Sequence, residues 1–338
     1  MKARPTIRDV ARMAGVSVGT ASKALSDSGK LRPETRERVR AIAKQLGFRP
    51  NDLAHSLHRG QSRTVGVIST DSFGRFTMPI MEGLEGCLSE HRISVIMCNA
   101  TDDPEREARH VETLLGKRVD GIVVTARRAD RRPPLAVETH GLPMLYVFSR
   151  TEDPDAFCLV PDDEAGARLA TTHLLGLGRR RLAHITGPER FEAVRLRRTG
   201  FAAALQAAGL DPHAAPILTG VWSEEWGRDA LDTLFAATRP PDGIFCGSDL
   251  IARGVVDRLR ERAIAVPATV SVVGFDNWDI IAEATRPRLT TVDMNLRQLG
   301  EEAGQRLIEL IDGAPLTGLR RMPCSLVVRE SCGAQAQR

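Results

Sequence analysis

Apolar residues follow one spacing in the first sixty or so positions of this chain and another thereafter. In the first stretch Ile7, Val10, Ala11 and Ala14 recur at the period of a helix, and Gly15 supplies a residue that tolerates a left-handed turn. Thr6 stands before them with Asp9 three positions on, the spacing of a capping box. Ser17 caps a second helix, in which Ala21 and Leu25 face inward while Val18, Gly19, Ser22 and Lys23 stay outside. A third helix is predicted from about Pro33 to Leu46, with a stripe of Val39, Ile42, Ala43 and Leu46 and Gly47 as its stop. Such a segment is either an ordinary helical hairpin or a helix-turn-helix, whose second helix enters a DNA major groove.

Beyond Arg63 the pattern changes to short apolar runs separated by amphipathic stretches. Val65–Thr70, Ser94–Cys98, Gly121–Thr125, Pro143–Phe148, Phe157–Val160, Leu182–Thr186, Gly243–Cys246 and Ser271–Phe275 read as buried strands. Asp103-Pro104-Glu105 opens one clear helix, running to Leu115. Alternation of this kind predicts parallel sheets covered on both faces. The stretch is long for one such sheet, which predicts two linked lobes. Asp71 and Ser72, Asp162, Asp249 and Asp276 each follow a strand end, where ligands of open parallel sheets bind. Each aspartate taken singly reads equally well as the cap of the next helix.

Charge separates the same two regions. Residues 1–63 carry 14 Lys and Arg against 5 Asp and Glu, a charge of +9, and the remainder carries −5. A basic head on a mildly acidic body is the footprint of a nucleic-acid module joined to something else, and it favours the helix-turn-helix. Between the two regions, Asn51 can cap a helix of about two turns ending near His58, followed by a Gly-Gln-Ser linker. So short a helix is marginal in water and can order on pairing or binding.

The head resembles the LacI/GalR (lactose-repressor) family of bacterial transcription regulators almost continuously over Thr6–Gln61. The matching motifs are Thr6-Ile-Arg-Asp-Val-Ala, Ala14-Gly-Val-Ser, Thr20-Ala-Ser, Thr35-Arg-Glu-Arg-Val, Leu46-Gly-Phe, Pro50-Asn51 and Leu53-Ala54. The resemblance implies base reading by Val18, Gly19 and Lys23, with apolar contact from Val18 and a guanine partner for Lys23. Thr6, Ser17, Thr20, Ser22 and Arg32 are the expected phosphate contacts. Arg32 departs from the small hydroxyl cap that relatives often place there. The short helix corresponds to the family's hinge, paired in the minor groove of a dimer, with Asn51 capping it, Ala54 against the groove and Leu57 as the wedge that kinks the duplex.

A looser resemblance extends to about residue 330 through Asp162-Asp-Glu-Ala-Gly166, Gly247-Ser-Asp-Leu-Ile-Ala-Arg-Gly254, Val273-Gly-Phe-Asp276 and Arg288-Leu-Thr-Thr-Val292. It implies a core like the periplasmic sugar-binding proteins, holding a small molecule between lobes. The implied pocket comprises Asp71, Phe76, Asp162, Arg197, Trp222, Asp249 and Asp276, with Ser72 beside the first. Several carboxylates with one arginine and flat aromatic faces suit a neutral polyhydroxylated effector, a sugar or sugar derivative; a nucleobase or nucleoside is the alternative.

The expected architecture is therefore an all-α helix-turn-helix head (1–50), a hinge helix and linker (51–63), and an α/β core of parallel sheets (64–332). Lobe 1 is expected over about 64–161 and 292–318, and lobe 2 over about 162–291 and 319–332. The expected function is a dimeric, cytoplasmic, sequence-specific repressor of a pseudo-palindromic operator, controlled by a small molecule. No export signal, membrane span, cofactor or metal site is expected. His55 and His58 lack further ligands nearby, and the six cysteines are scattered as buried thiols would be. Gly15-Val-Ser-Val-Gly19 matches the nucleophile-elbow pattern but follows a helix instead of a strand, so no enzyme is expected. A secreted solute-binding protein remains the rival reading of the body alone.

Overall fold

The computed structural model describes residues 5–26, 29–48, 61–71 and 74–333. They form two compact units that divide after Arg63. In the first unit α1 (Ile7–Ala14), α2 (Val18–Leu25) and α3 (Pro33–Leu46) enclose a core of small side chains: Val10, Ala11, Ala14, Ala21, Ala24, Val39 and Ala43. The capping box forms as expected, the Thr6 N–H and hydroxyl both donating to the Asp9 carboxylate at 3.0 and 2.7 Å. Those bonds hold the Asp9 carboxyl below its usual range. Gly15 and Gly47 close α1 and α3 in the left-handed conformation. On α2 the fully buried partner of Ala21 is Ala24, and Leu25 is only half-buried, because three closely packed short helices leave room for a methyl at their centre. The expected hinge helix lies outside the described residues.

The second unit contains two six-stranded sheets. The first orders β13 (Gly318–Met322), β7 (Phe157–Pro161), β5 (Met144–Val147), β3 (Gly121–Thr125), β1 (Thr64–Ser69) and β2 (Ser94–Asn99), all parallel. The second orders β14 (Ser325–Val327), β12 (Thr290–Asp293), β11 (Ser271–Phe275), β10 (Gly243–Cys246), β8 (Leu182–Thr186) and β9 (Ile217–Thr219). In it only the edge strand β14 is antiparallel. A two-residue ribbon joins β4 (Arg131–Arg132) to β6 (Arg150–Thr151). Helices α4 (Thr77–Glu90), α5 (Pro104–Gly116) and α11 (Leu296–Ile311) accompany the first sheet. The second has α6 (Asp163–Gly176), α7 (Glu192–Ala207), α8 (Glu224–Phe235), α9 (Asp249–Glu261) and the one-turn α10 (Asp279–Ala282).

The strand pairings correct the expected lobe boundaries. β12 runs to Asp293 within the second sheet, so lobe 1 resumes after 293 and not at 292. β13 pairs with β7 through Met322, so lobe 2 resumes after 322 and not at 319. The chain crosses three times between sheets, and hydrogen bonds from side chain and backbone tie the crossings together. Asn295, at φ 53°, donates to the Pro323 carbonyl at 2.9 Å and accepts from the Ser325 hydroxyl at 3.0 Å. The Asp162 N–H donates to the Met322 carbonyl at 2.8 Å.

Helix pairs approach closely enough to require glycine. A methyl at Gly83 of α4 would overlap the Arg297 carbonyl, and one at Gly300 of α11 would overlap the Ile80 carbonyl. Gly300→Ala is expected to cost about 1–3 kcal/mol by overpacking, outweighing the roughly 1 kcal/mol gained in helix propensity. Denaturant unfolding measures it; unchanged stability would contradict so close a crossing.

Candidate DNA interface and effector cleft

The outer face of α2 carries the expected base readers in solvent. Val18 is 44% exposed, an uncommon setting for a large apolar side chain, and Gly19 and Lys23 are exposed beside it. The Lys23 methylenes lie along Gly29, whose φ of +74° and missing Cβ make room for them. The expected phosphate contacts also hold the fold locally. Ser17 accepts the Thr20 N–H at 3.1 Å and shares a hydrogen bond with the Thr20 hydroxyl at 2.9 Å. The Ser22 carbonyl, on the half-buried side of the helix, accepts the Ser26 hydroxyl at 2.9 Å. Arg32 precedes α3, is exposed, and makes no side-chain capping bond. Asn51, Ala54, Leu57, Ser72, His55 and His58 lie outside the described residues.

The carboxyl ends of both sheets face one cleft. Of the four aspartates expected there, two act as helix caps. Buried Asp71 accepts the N–H groups of Phe76 and Thr77 at 2.9 and 3.1 Å, at the start of α4. Asp162 accepts the Ala165 N–H at 3.0 Å, at the start of α6. The neighbouring Asp163, which the sequence does not single out, is the carboxylate that reaches Arg197, at 2.8 Å to Nε and 2.7 Å to Nη2. Arg197 is 5% exposed, donates further to the Gly247 carbonyl, and lies 3.6 Å above the Phe275 ring centroid. Its Nη1 stands 4.0 Å from Asp276.

Asp276 and Asp249 form the other half of this cluster. Asp276 sits at φ 112° and Asn277 at φ 49°, a strained turn after β11. Asn277 is held by a donation to Asp293 at 2.9 Å and one from Arg329 at 2.9 Å. Asp276 also takes an ion pair from Arg75 of lobe 1, so the two lobes touch through opposite charges. The Arg75 guanidinium is sandwiched between Phe76 and Trp278, 4.7 and 4.3 Å from their ring centroids. Fully buried Asp249 accepts from the Trp278 N–H at 2.7 Å and the Thr291 hydroxyl at 2.5 Å. Burial, reinforced by the charge of Asp276, pushes the Asp249 carboxyl up to about 8. Burial raises Asp276 as well, against the pull of Arg75 and Arg197. Phe76 stacks on Phe148 at 4.9 Å. Trp222 lies against Gly187, where a Cβ would strike the indole, and beside Phe191 at 6.5 Å.

Four buried polar atoms in this region lack a partner among the described residues: the hydroxyls of Thr125, Ser149 and Thr186 and the Nε of Arg75. Three lie at or just beyond strand carboxyl ends. Buried polar groups are nearly always satisfied, so these mark where water or a hydroxylated ligand belongs. Ser149 lines a cavity of about 510 Å³ between the lobes. Arg127, Arg128, Arg131, Arg132, Arg190 and Arg195 line it as well. These arginines are not among the expected pocket residues, although the basic run Arg127-Arg-Ala-Asp-Arg-Arg132 just beyond β3 is visible in the sequence.

Comparison with known proteins agrees with both halves of this picture. Residues 6–51 match the model of bacterial regulatory proteins, lacI family, and residues 171–332 match the periplasmic binding protein-like domain. The ribose operon repressor of Escherichia coli (strain K12) is 32% identical over 307 residues, spanning 90% of this chain and 93% of that protein. The HTH-type transcriptional repressor CytR of the same organism is 28% identical over 330 residues, 97% of this chain and 96% of that one. The lac repressor dimer bound to operator and the anti-inducer ONPF superposes with a TM-score of 0.80 at 27% identity, covering 98% of this chain and 100% of that chain. The transcriptional regulator CelR in complex with cellobiose gives 0.67 at 29% identity, over 97% and 100%. With a helix-turn-helix head, a two-sheet core and a relative this similar across nine-tenths of its length, the chain belongs to the lacI family of bacterial regulatory proteins.

Proposed function

We propose that this regulator is a homodimeric, cytoplasmic repressor that grips a pseudo-palindromic operator and changes its grip when a sugar or sugar derivative enters the cleft. The observation that carries the reading is the interlobe cluster of Arg197, Asp163, Asp276, Asp249 and Arg75, together with buried hydroxyls that have no partner among the described residues. Hydroxyl groups of a ligand can exchange hydrogen bonds with these carboxylates, guanidinium groups and hydroxyls. A ligand that does so changes the Arg75–Asp276 contact, and with it the relative energies of open and closed lobes. Coupling of about 1–3 kcal/mol alters operator affinity ~5–150-fold.

At the DNA, Val18 is assigned apolar contact with a thymine methyl, Gly19 close backbone approach and Lys23 a guanine edge. Thr6, Ser17, Thr20, Ser22 and Arg32 are assigned to phosphates, with Thr6 and Ser17 serving as caps too. The roles of Asn51, Ala54 and Leu57 in a minor-groove hinge rest on the family resemblance alone. Selection of bound fragments from genomic DNA, followed by gel retardation at physiological salt, tests the function. A recurrent inverted repeat is the expected result, and equal retardation of every duplex would overturn it. Lys23→Ala is expected to relax discrimination at one base pair per half-site, by about 1–3 kcal/mol. An equal loss across all sequences would make Lys23 a phosphate contact.

A further inference from the structure

The interlobe cavity carries more positive charge than its own carboxylates neutralise. Arg132 is paired with Glu107, Arg127 with Asp102 at 3.2 Å, and Arg128 with Asp130 at 3.6 Å. The other two acids on the wall are committed elsewhere. Asp103 accepts the N–H groups of Glu105 and Arg106 as the cap of α5, and Glu192 pairs with Arg150. Arg131, Arg190 and Arg195 remain, and none has a carboxylate within 4.0 Å among the described residues. They come from both sides of the cleft, Arg131 from the β4 ribbon and the other two from the approach to and first turn of α7. Arg190 rests over the Phe191 ring at 4.5 Å, and Arg195 donates to the Arg190 carbonyl at 2.8 Å, so both are positioned. Helix α7 begins at the same wall, where its first N–H donates to the Asp130 carboxylate at 2.7 Å. The surplus is felt nearby, where Arg150 is held below its ordinary range by burial and then by the charges of Arg131 and Arg321.

We propose that the effector is a small polyhydroxylated anion, a sugar bearing a phosphate or a carboxylate, whose charged group is held by Arg131, Arg190 and Arg195 while its hydroxyls face the cleft. The inference rests on the ligand-controlled reading above and replaces the neutral polyol that the sequence suggests with a charged one. Planar guanidinium forks match phosphate and carboxylate oxygens two at a time, which point charges do not. The volume of about 510 Å³ lies in the range of small-molecule sites and accommodates a sugar with such a group attached.

Matched pairs provide the test, on the full-length protein in 150 mM salt: ribose against ribose 5-phosphate, glucose against glucose 6-phosphate, and glucose against glucuronate. Calorimetry is expected to show at least one anion binding roughly ten-fold or more tightly than its neutral parent, with a matching rise in melting temperature. The phosphate and carboxylate arms separate the two sources of charge. Arg131→Gln combined with Arg190→Gln is expected to bring that pair within about two-fold, whereas Arg131→Lys with Arg190→Lys keeps part of the preference. Neutral parents binding as tightly, no anion of the panel binding at ~10 mM, or a preference that survives the glutamine pair would each overturn the proposal. Retardation of a selected operator by the same ligand-free wild-type preparation reports separately on the regulator reading, so failure of one is distinguishable from failure of the other.

Discussion

Arg197→Met is expected to lower the stability of the core by about 3–5 kcal/mol and to abolish the response to effector. The side chain is buried, and its guanidinium answers Asp163 through two nitrogens and the Gly247 carbonyl through a third. Removing it strands the Asp163 carboxylate in a site with little water, where an unpaired charge is far costlier than an unmade hydrogen bond. In a core of this size the loss corresponds to a fall in melting temperature on the order of ten degrees. Combining it with Asp163→Asn removes the stranded charge and is expected to restore a large part of the stability but none of the response. Denaturant unfolding of the single and double variants measures the coupling. A single-variant loss below about 1 kcal/mol would place Arg197 in solvent and undo the site as described.

The second large effect is expected to have the opposite sign. Asp249 ionises near 4 in an unfolded chain but near 8 when folded, because burial and the Asp276 charge disfavour its carboxylate. Between those values the folded protein holds a proton that the unfolded chain has released. Stability from this group is therefore complete below pH 4, falls as pH rises, and levels off above 8. Asp249→Asn removes the ionisation while keeping an acceptor for the Trp278 N–H and a donor for Thr291. The variant is expected to be more stable than the parent by about 2–5 kcal/mol at pH 8 and nearly equal to it at pH 4. Thermal unfolding across that range checks it. A difference that does not change with pH would mean that Asp249 titrates as an ordinary surface carboxylate.

Much of the architecture is legible in local pattern. The capping box of Thr6 and Asp9, the Ser17 cap, the Gly15 turn and the limits of α3 are set by residues within a few positions of each other. β3, β8, β10 and β11 are read to the residue because each is a fully buried, mostly apolar run. The edge strands are not legible in this way. β13 has no buried position over Gly-Leu-Arg-Arg-Met and no strict alternation, and β14 is three residues long, so neither departs from the pattern of a loop. Their sheet membership sets the later lobe boundary.

The cleft shows the same division. Arg197 and the positions after β10 and β11 are found from motif and strand ends. Which of Asp162 and Asp163 turns inward depends on the first turn of α6, where the former caps and the latter reaches Arg197. Arg75 meets Asp276 across 201 residues of sequence, and no local signal announces such a contact.

The claim on which the account depends is that occupancy of the interlobe cleft sets the affinity of the head for DNA. The direct test is the dissociation constant of a selected operator duplex, followed by fluorescence anisotropy at 150 mM salt with and without a ligand shown by calorimetry to bind the core. A change of at least five-fold is predicted, in either direction, and it should vanish in Arg197→Met. Identical affinities at saturating ligand would contradict the account.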